Sequence, residues 1–395
     1  MELKDIAIYA KDRVEIKDLS ALNYISTENM MPEKGGVQKA SSLPSIPFTS
    51  GFIVNDVLIS NIRPYFRKIW FADKEGGCSN DVLVFRAKER CYPKFLYYVL
   101  SDNRFFDYST ASAKGTKMPR GDKSAIMEYK VPNFDIFEQI KIANILSSLD
   151  DKIALNQRIN DNLEQQAQAL YRSWFIDFEP FKYAEFVESE LGEIPEKWRV
   201  GKLSDIGKIV GGSTPSKSHP EYYTTNGIAW LTPKDLSGTR AKFTSRGEID
   251  ITEIGYNSCS TKMLPRGSVL FSSRAPIGYI SIALNDICTN QGFKSIVPNK
   301  EIGTAFVYYY LKNNTSKIES QASGSTFKEV SGSLINSLPI VIPPVKLISK
   351  FNEIANPIFS QQEKNEDEIK KLSQLRDEIL PKLMSGELKI NDLHS

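Results

Sequence analysis

Four cations recur at three-residue intervals in the glycine-containing segment AKGTKMPRGDK. They are Lys114, Lys117, Arg120 and Lys123, with the hydroxyl of Thr116 between the first two. Glycine allows a main chain to approach a ligand closely, and repeated cations attract phosphate groups. The segment is therefore predicted to contact a polyanion. A solvated loop with no partner is the alternative.

A second segment, QASGSTFKEVSGS, offers hydroxyls and one amine in place of the repeated cations. Its candidates for phosphate or base-edge contacts are Ser325, Thr326 and Lys328. Elsewhere, arginine can bind guanine with two hydrogen bonds, and asparagine or glutamine can bind adenine in the same way. Such candidates, each with a purely structural or exposed role as the alternative, are Arg63, Arg67, Arg274, Asn290 and Gln291. The polar turn GGSTPSKSHPEYY and the following WLTPKDL add Ser213, Thr214, Lys217 and Lys234.

These segments belong to a chain that is built twice. FLYYVL (Phe95 to Leu100) and FVYYYL (Phe306 to Leu311) are identical at four of six positions. Collinear matches join NDVLIS with GSVLFS, CSND with CTNQ, and AKGT with ASGS. The two candidate loops therefore occupy the same place in both repeats but carry different side chains. A shared scaffold with varied tips is typical of two modules that recognise different targets.

The elements of each repeat follow the same order. Runs such as DVLIS and SVLFSS predict strands, and the FLYYVL and FVYYYL segments predict helices. A long helix ends each repeat, at about 137–175 and 348–384. Its seven-residue apolar period predicts that the two helices pack as a coiled coil. We take an antiparallel arrangement of the two helices as the hypothesis. The predicted seam comprises Asn156, Leu163, Leu170, Trp174, Asn365, Leu372, Leu375, Ile379 and Leu383.

The sequence thus predicts a mixed α/β (α+β) fold in which two similar globular domains are separated by paired helices, with an internal pseudo-twofold repeat. Two amphipathic helices that each lie on their own domain are the alternative. The predicted limits are 1–131 and 191–342 for the globular domains, and 132–190 and 343–395 for the helical regions. The net charges of the globular domains are +4 (20 basic and 16 acidic residues) and +5 (17 and 12), whereas those of the helical regions are −6 (5 and 11) and −1 (8 and 9). Basic modules favour contact with a polyanion, and the helices favour contact with protein.

Recognisable catalytic motifs are missing from the sequence. There is no GxxxxGK[ST] loop for ATP, no glycine-rich turn for S-adenosylmethionine, and only His219 and His394 for histidine chemistry. The four cysteines lie far apart, so we expect neither a metal site nor a disulfide framework. No apolar run approaches the length that spans a bilayer. We therefore expect a cytoplasmic binding protein that holds no cofactor and contacts no membrane.

Several stretches resemble the specificity subunits of type I restriction–modification systems, which serve bacterial defence. They are ALYRSWFIDFEPF (169–181), ESELGEIPEKWRVGKLSDI (188–206), GGSTPSKSHPEYY, WLTPKDL and LSQLRDEILPKLMSGEL (372–388). The resemblance extends over essentially the whole chain. The first half departs from the pattern, because it lacks the GGSTP-like turn and its YISTENM (24–30) matches WLTPKDL only loosely.

The resemblance implies a non-catalytic subunit whose two target-recognition domains read the halves of a split double-stranded DNA target. Its paired helices would act as a spacer and would dock two methyltransferase subunits, and through them restriction subunits. S-adenosylmethionine, ATP and Mg²⁺ would belong to those partners. Two alternatives remain from the residues alone: a nuclease or methyltransferase with diverged motifs, and a coiled-coil interaction protein with incidental basic domains.

Overall fold

The computed structural model of the chain describes residues 1–238, 241–324 and 328–388. It consists of two compact units, each with its own sheets and core. Unit 1 comprises Met1–Ala154 and Lys370–Ser395, and unit 2 comprises Leu155–Ile369. Each unit therefore takes residues from one predicted globular domain and from both predicted helical regions. Within the described ranges, no helix combines the length and apolar character needed to cross a membrane.

Unit 1 combines short strands with helices. The strands are β1 (Ala7–Tyr9), β2 (Arg13–Glu15), β3 (Tyr24–Ile25), β4 (Phe48–Phe52), β5 (Val57–Ser60), β6 (Ile69–Phe71), β7 (Gly76–Cys78) and β8 (Val82–Ala87). The helices are α1 (Leu3–Ile6), α2 (Pro93–Ser101), α3 (Asn103–Ala111), α4 (Lys123–Met127) and the first half of α5 (Ile136–Phe175).

Unit 2 begins within α5 and contains the remaining strands. They are β9 (Phe186–Val187), β10 (Ile194–Pro195), β11 (Arg199–Lys202), β12 (Gly207–Gly211), β13 (Tyr223–Thr224), β14 (Trp230–Leu231), β15 (Phe243–Thr244), β16 (Asp250–Ile251), β17 (Val269–Ser273), β18 (Ile277–Ala283), β19 (Cys288–Thr289), β20 (Lys294–Pro298) and β21 (Pro339–Ile342). Its helices are α6 (Leu203–Ile206), α7 (Glu253–Asn257), α8 (Thr304–Ser320), α9 (Gly332–Ser337) and the first part of α10 (Val345–Ser385), which ends in unit 1.

The main sheets of the two units have the same strand order. In unit 1 the order is β1-β8-β5-β6, and in unit 2 it is β12-β20-β17-β18, with β15 added at the edge. The central strands β5 (VLIS) and β17 (VLFSS) are buried along their whole length, which explains the apolar runs VLI and VLF with which they begin. The predicted mixed α/β fold with an internal repeat is confirmed.

A second match joins the stretches YISTENM and WLTPKDL. Strand β3 pairs in parallel with β7, and β14 pairs in parallel with β19. After each strand the chain makes the same capped turn. The main-chain N–H of Ser26 donates to Asn29 Oδ1 (2.6 Å), and that of Thr232 donates to Asp235 Oδ2 (2.7 Å). The loose sequence match thus reflects the same local structure.

The two long helices run antiparallel where they meet in unit 2. Asn156 Nδ2 donates to Glu368 Oε2 (2.7 Å), and Asn365 Nδ2 donates to Asn160 Oδ1 (2.7 Å). The residue number rises along α5 as it falls along α10, so the helices have opposite directions. The two predicted seam asparagines are buried, but each bonds a different residue and they do not bond each other. Interdigitation of the coiled-coil type stays a prediction.

The prediction that Leu375 lies in the seam is wrong. Leu375 is 45% exposed, whereas Leu383 is buried and Leu163, Leu170, Trp174, Leu372 and Ile379 are half-buried. The neighbouring Arg376 is directed at α5, where its Nη1 lies 2.9 Å from Asp150 Oδ1. Successive helical residues are about 100° apart, so a helix that aims Arg376 at α5 turns Leu375 to solvent.

A buried lysine ties the sheet of unit 2 to both long helices. Lys242, which precedes β15, donates to Gln362 Oε1 on α10 (2.7 Å) and forms an ion pair with Glu164 on α5. Its ammonium lies 4.0 Å from the ring centre of Phe359. Burial lowers the pKa of Lys242 to about 8, although Glu164 opposes that shift. Lys312 Nζ, 2.5 Å from the same carboxylate, completes the cluster.

Candidate nucleic-acid interface

In unit 1, three loops come together beyond the ends of the central strands. They are residues 61–63 after β5, residues 79–81 between β7 and β8, and residues 113–121 before α4. The main-chain N–H of Asn61 donates to the carbonyl of Asp81 (2.8 Å), and that of Arg63 donates to the carbonyl of Pro119 (2.8 Å). These bonds hold the loops in one surface, which we call surface 1.

Two of the four regularly spaced cations already have partners. Lys114 and Arg120 exchange main-chain hydrogen bonds of 2.9 and 3.0 Å, which close the loop. Arg120 Nε lies 3.0 Å from Asp81 Oδ1, and Lys114 Nζ lies 2.5 Å from Asp122 Oδ2. The hydrogen bond from Lys114, followed by those from the main chain of α4, lowers the pKa of Asp122. The loop is thus ordered by its own ion pairs before any partner binds.

The tip of the loop is free to contact a partner. Thr116 and Lys117 are exposed, and so is Lys123, the first residue of α4. The ammonium groups of Lys117 and Lys123 form no ion pair with any residue that the structure describes. Their positions fit non-specific attraction to phosphates.

Arg63 and Arg67 flank a tight turn formed by Pro64–Phe66. Both have left-handed backbone conformations, with φ of 50° and 51°, which bulky residues rarely adopt. Among the described atoms, the buried Nε of Arg63 has no hydrogen-bond partner. Arg67 Nη1 lies 3.4 Å from Glu33 Oε2. Only Arg63 belongs to surface 1 itself.

Unit 2 brings the corresponding loops together, and we call them surface 2. Surface 2 comprises residues 213–214, 273–275 and 290–292, Lys294, and the described residues of the segment 323–329. Ser323 and Glu329 exchange main-chain hydrogen bonds of 3.1 and 2.8 Å, as Lys114 and Arg120 do in surface 1. The main-chain N–H of Ser273 donates to the carbonyl of Gly292 (2.7 Å).

The side chains of surface 2 differ from those of surface 1. Glu329 occupies the place of Arg120 and faces two cations, Arg274 (Nη1 to Oε2, 3.4 Å) and Lys294 (Nζ to Oε1, 3.8 Å). The hydroxyl of Thr214 donates to Oε1 of the exposed Gln291. The two loops that these main-chain hydrogen bonds close are equivalent, and we call them main-chain frames. At equivalent positions the two frames carry opposite charges, on Arg120 and on Glu329.

Two predicted contact residues of unit 2 are held within the protein. The main chain of Ser213 donates to Thr289 O (3.0 Å) and accepts from Trp230 Nε1 (3.1 Å). The Oδ1 of Asn290 accepts from the main-chain N–H of Gly292 (2.8 Å). Asn290 therefore shapes its turn with the oxygen that was predicted to read a base.

Of the remaining predicted residues, Lys217 and Lys234 lie outside these clusters, whereas Lys328 belongs to surface 2. Lys234 is exposed and pairs with Glu248 (2.8 Å), which raises its pKa. Lys217 and Lys328 are exposed. Ser325 and Thr326 lie outside the described residues.

The structure also corrects the sequence pairing of CSND with CTNQ by one residue. The main-chain N–H of Ser79 donates to Ile25 O (2.8 Å), and that of Asn290 donates to Leu231 O (2.9 Å). Since Ile25 and Leu231 occupy the same position in paired strands, Ser79 corresponds to Asn290. Asn80 therefore corresponds to Gln291.

Four residues whose charged or carboxamide side chains shape the two surfaces were not among the predicted contact residues. They are Asn80, Asp81, Lys294 and Glu329. Asn80 lay within the repeated CSND segment, so correct pairing of the repeats would have identified it. Asp81 lay in the same CSND segment and Glu329 lay in QASGSTFKEVSGS. The charged partners of Asp81, Lys294 and Glu329 are distant in sequence, however, so their ion pairs could not be predicted.

Comparison with known proteins gives a consistent result over most of the chain. The family model of the type I restriction modification DNA specificity domain matches residues 2–165 and 195–378. The type I restriction enzyme HindI specificity subunit of Haemophilus influenzae is 27% identical, and the match covers 98% of both chains. The MjaIX specificity subunit of Methanocaldococcus jannaschii is 43% identical over 161 residues, which are 40% of this chain and 37% of that protein.

A solved structure resembles the chain in fold. The S subunit of a type I restriction–modification system from M. genitalium superposes with a TM-score of 0.60 at 16% identity. The match covers 97% of this chain and 95% of that one.

Proposed function

Because this chain belongs to the family of type I restriction–modification specificity subunits, we propose that it reads a bipartite, interrupted DNA target for a methyltransferase. Proteins of this family recognise DNA and are not catalytic. In the proposal, surface 1 reads one half of the target and surface 2 reads the other. The two halves differ in sequence and are separated by unspecified base pairs.

The observation that carries the proposal is the pair of equivalent loop frames with different side chains. The same main-chain exchange joins Lys114 to Arg120 and Ser323 to Glu329. At the equivalent ends of these frames, one surface presents Arg120 and the other presents Glu329. Main-chain frames set the register on a duplex, whereas the side chains decide which base edges are read. Two frames with different side chains fit two different half-sites.

The long helices fit the role of spacer and docking surface for two methyltransferase subunits. Helix α5 has 40 residues and α10 has 41, so each is about 60 Å long. Both carry large apolar side chains in solvent, among them Phe137 (74% exposed) and Ile354 (45% exposed). Exposed apolar groups of this kind favour protein contacts. Restriction subunits would join through the methyltransferase subunits, and those partners would bind S-adenosylmethionine, ATP and Mg²⁺.

Methylation mapping tests the proposal. The chain is expressed with its cognate methyltransferase subunit, and modified bases are located by long-read sequencing. We expect a split methylated motif that disappears when this chain alone is omitted. Exchange of residues 1–131 for those of a relative is expected to alter one half of the motif only. Methylation that persists without the chain, or a continuous motif, would contradict the proposal.

A further inference from the structure

Asn80 and Gln291 occupy the same position in the two surfaces, and both are exposed carboxamides. Each lies in the turn that follows the parallel strand pair, β3 with β7 in unit 1 and β14 with β19 in unit 2. The two side chains differ by one methylene. Other equivalent positions of the two surfaces differ in charge, as Arg120 and Glu329 do. The carboxamide, in contrast, is present in both surfaces.

Main-chain hydrogen bonds fix each turn on both sides of the carboxamide. Before Asn80, Ser79 N donates to Ile25 O (2.8 Å), and after it Asp81 O accepts from Asn61 N (2.8 Å). The residues before and after Gln291 make the same two kinds of bond, through Asn290 N to Leu231 O (2.9 Å) and Ser273 N to Gly292 O (2.7 Å). Both carboxamides are therefore held on rigid supports, which favours precise hydrogen bonding to a partner.

The cations near the two carboxamides can attract phosphates, which leaves the carboxamides available to read bases. Arg120 forms an ion pair with Asp81, the residue that follows Asn80. Arg274 and Lys294 lie in the surface that contains Gln291. Cations of this kind attract phosphates at any sequence. An uncharged carboxamide contributes little to that attraction, but it can donate to N7 and accept from N6 of adenine at the same time. The Oε1 of Gln291 accepts from the hydroxyl of Thr214. Because a carboxamide oxygen has two lone pairs, it retains one for the bond from N6.

We propose that Asn80 and Gln291 each read one adenine in the major groove, so that each half-site contains an A·T pair at the equivalent position. This inference rests on the proposed function, since it requires that surfaces 1 and 2 bind the two half-sites. It identifies Asn80 as a specificity-determining residue and assigns a base to Gln291.

The test replaces each carboxamide by the isosteric carboxylate, Asn80→Asp and Gln291→Glu. A carboxylate cannot donate to adenine N7, but it accepts from the amino group of cytosine. In methylation mapping we expect Asn80→Asp to relax or change one adenine in one half-site, and Gln291→Glu to do so in the other. A half-site that contains no A·T pair, or a motif unchanged by both substitutions, overturns the inference.

Asn133→Asp is the matched control for the added charge. Asn133 borders a cavity with Glu89 and Arg90, which follow β8, whereas Asn80 lies before that strand. The control is expected to leave both half-sites unchanged. A change of motif in the control would show that added charge alone alters selection, and this would overturn the assignment to the carboxamides.

Competition binding covers the case in which a variant no longer supports methylation. The assembled complex is titrated with the wild-type duplex and with one in which the proposed A·T pair is replaced by C·G. The wild-type complex is expected to prefer A·T by about 10- to 100-fold, because one mismatched pair costs roughly that much. Asn80→Asp should lose that preference at its own half-site and keep it at the other. Retained discrimination overturns the inference.

The two proposals fail in different ways. If no split motif depends on this chain, the proposed function fails, and the base assignment falls with it. If a split motif depends on the chain but both variants keep their adenines, only the assignment of Asn80 and Gln291 is overturned.

Discussion

The hydroxyl of Tyr98 donates a hydrogen bond of 2.7 Å to Oδ2 of Asp150 on α5. Tyr309, the equivalent residue of the second repeat, donates to Oε2 of Glu164 on the same helix (3.1 Å). Each unit therefore joins its FLYYVL-type helix to α5 through a tyrosine and a carboxylate. Arg376 balances the charge of Asp150, and Lys242 with Lys312 balances that of Glu164.

Loss of the hydroxyl in Tyr98→Phe should destabilise unit 1. We expect the free energy of unfolding to fall by about 1–2 kcal/mol, because a buried hydrogen bond to a charged group is lost. Denaturant unfolding measures the change. Tyr183→Phe, at a tyrosine that is 92% exposed, is the control and should leave stability unchanged. If Tyr98→Phe and wild type are equally stable, the hydrogen bond from Tyr98 to Asp150 does not stabilise unit 1.

Stability should fall as the pH rises above about 10, and Tyr98 should account for part of the slope. Burial, followed by the charge of Asp150, raises the pKa of Tyr98 above the value of 10.0 expected in the unfolded chain. Above pH 10 the unfolded chain therefore releases a proton that the folded chain retains, which favours unfolding. Tyr98→Phe should lose stability less steeply than wild type, by up to about 1.4 kcal/mol per pH unit. If the unfolding free energies of wild type and Tyr98→Phe fall with the same slope between pH 9.5 and 11, Tyr98 does not contribute to the pH dependence.

The cluster around Lys242 should show strong coupling in a double-mutant cycle. Lys242→Met removes a buried ammonium and leaves the half-buried Glu164 with one cation, so we expect a loss of about 3 kcal/mol in unfolding free energy. The double variant Lys242→Met/Glu164→Gln should lose less than the sum of the single variants, because both charges are removed together. Lys312→Met, at a half-exposed lysine on the same carboxylate, should lose only about 1 kcal/mol. Additive losses would disprove the coupling.

Lys117 should contribute to DNA affinity without affecting sequence preference. Lys117→Gln is expected to weaken binding equally for target and non-target duplexes, and to reduce the slope of log affinity against log salt by about 1. Lys88→Gln is the matched control. Lys88 follows the last residue of β8, whereas Asp81 of surface 1 precedes the first, about 20 Å away along the strand. The prediction is wrong if the salt slope of Lys117→Gln equals that of wild type and of the control.

Removal of one heptad from each long helix tests the spacer role. Deletion of residues 152–158 and 367–373 preserves the antiparallel register, because the pair Asn156 and Glu368 is removed together. Each helix becomes about 10.5 Å shorter. We expect the gap between the half-sites to shrink by about three base pairs, as measured with duplexes of varied gap length. Binding with an unchanged gap would exclude the spacer role.

The repeated sequence segments were sufficient to predict the main architecture. FLYYVL and FVYYYL predicted α2 and α8, and NDVLIS and GSVLFS predicted β5 and β17. Such elements are predictable because the pattern that buries them is local and continuous. YISTENM matched WLTPKDL only loosely, yet Ser26 and Asn29 make the same capped turn as Thr232 and Asp235. There the main chain is retained although most side chains have changed.

Interactions between residues that are distant in sequence could not be predicted from the sequence. Arg120 was predicted to contact a polyanion, but within the protein it pairs with Asp81, which lies 39 residues earlier in the chain. Leu375 fitted the heptad period, but the ion pair of Arg376 with Asp150 decides which side of α10 faces α5. The one-residue offset between Asn80 and Gln291 depends on strand pairing. In each case the decisive interaction forms only when remote segments meet.

The interleaving of the two units has a consequence for biosynthesis. Leu380, Leu383 and Met384 of α10 are core residues of unit 1, where they are buried together with Ile142 and Leu146 of α5. All of unit 2 leaves the ribosome before these residues do. A nascent chain can therefore complete the second module while the apolar face of the first is still uncovered. The module that is begun first during translation is finished last.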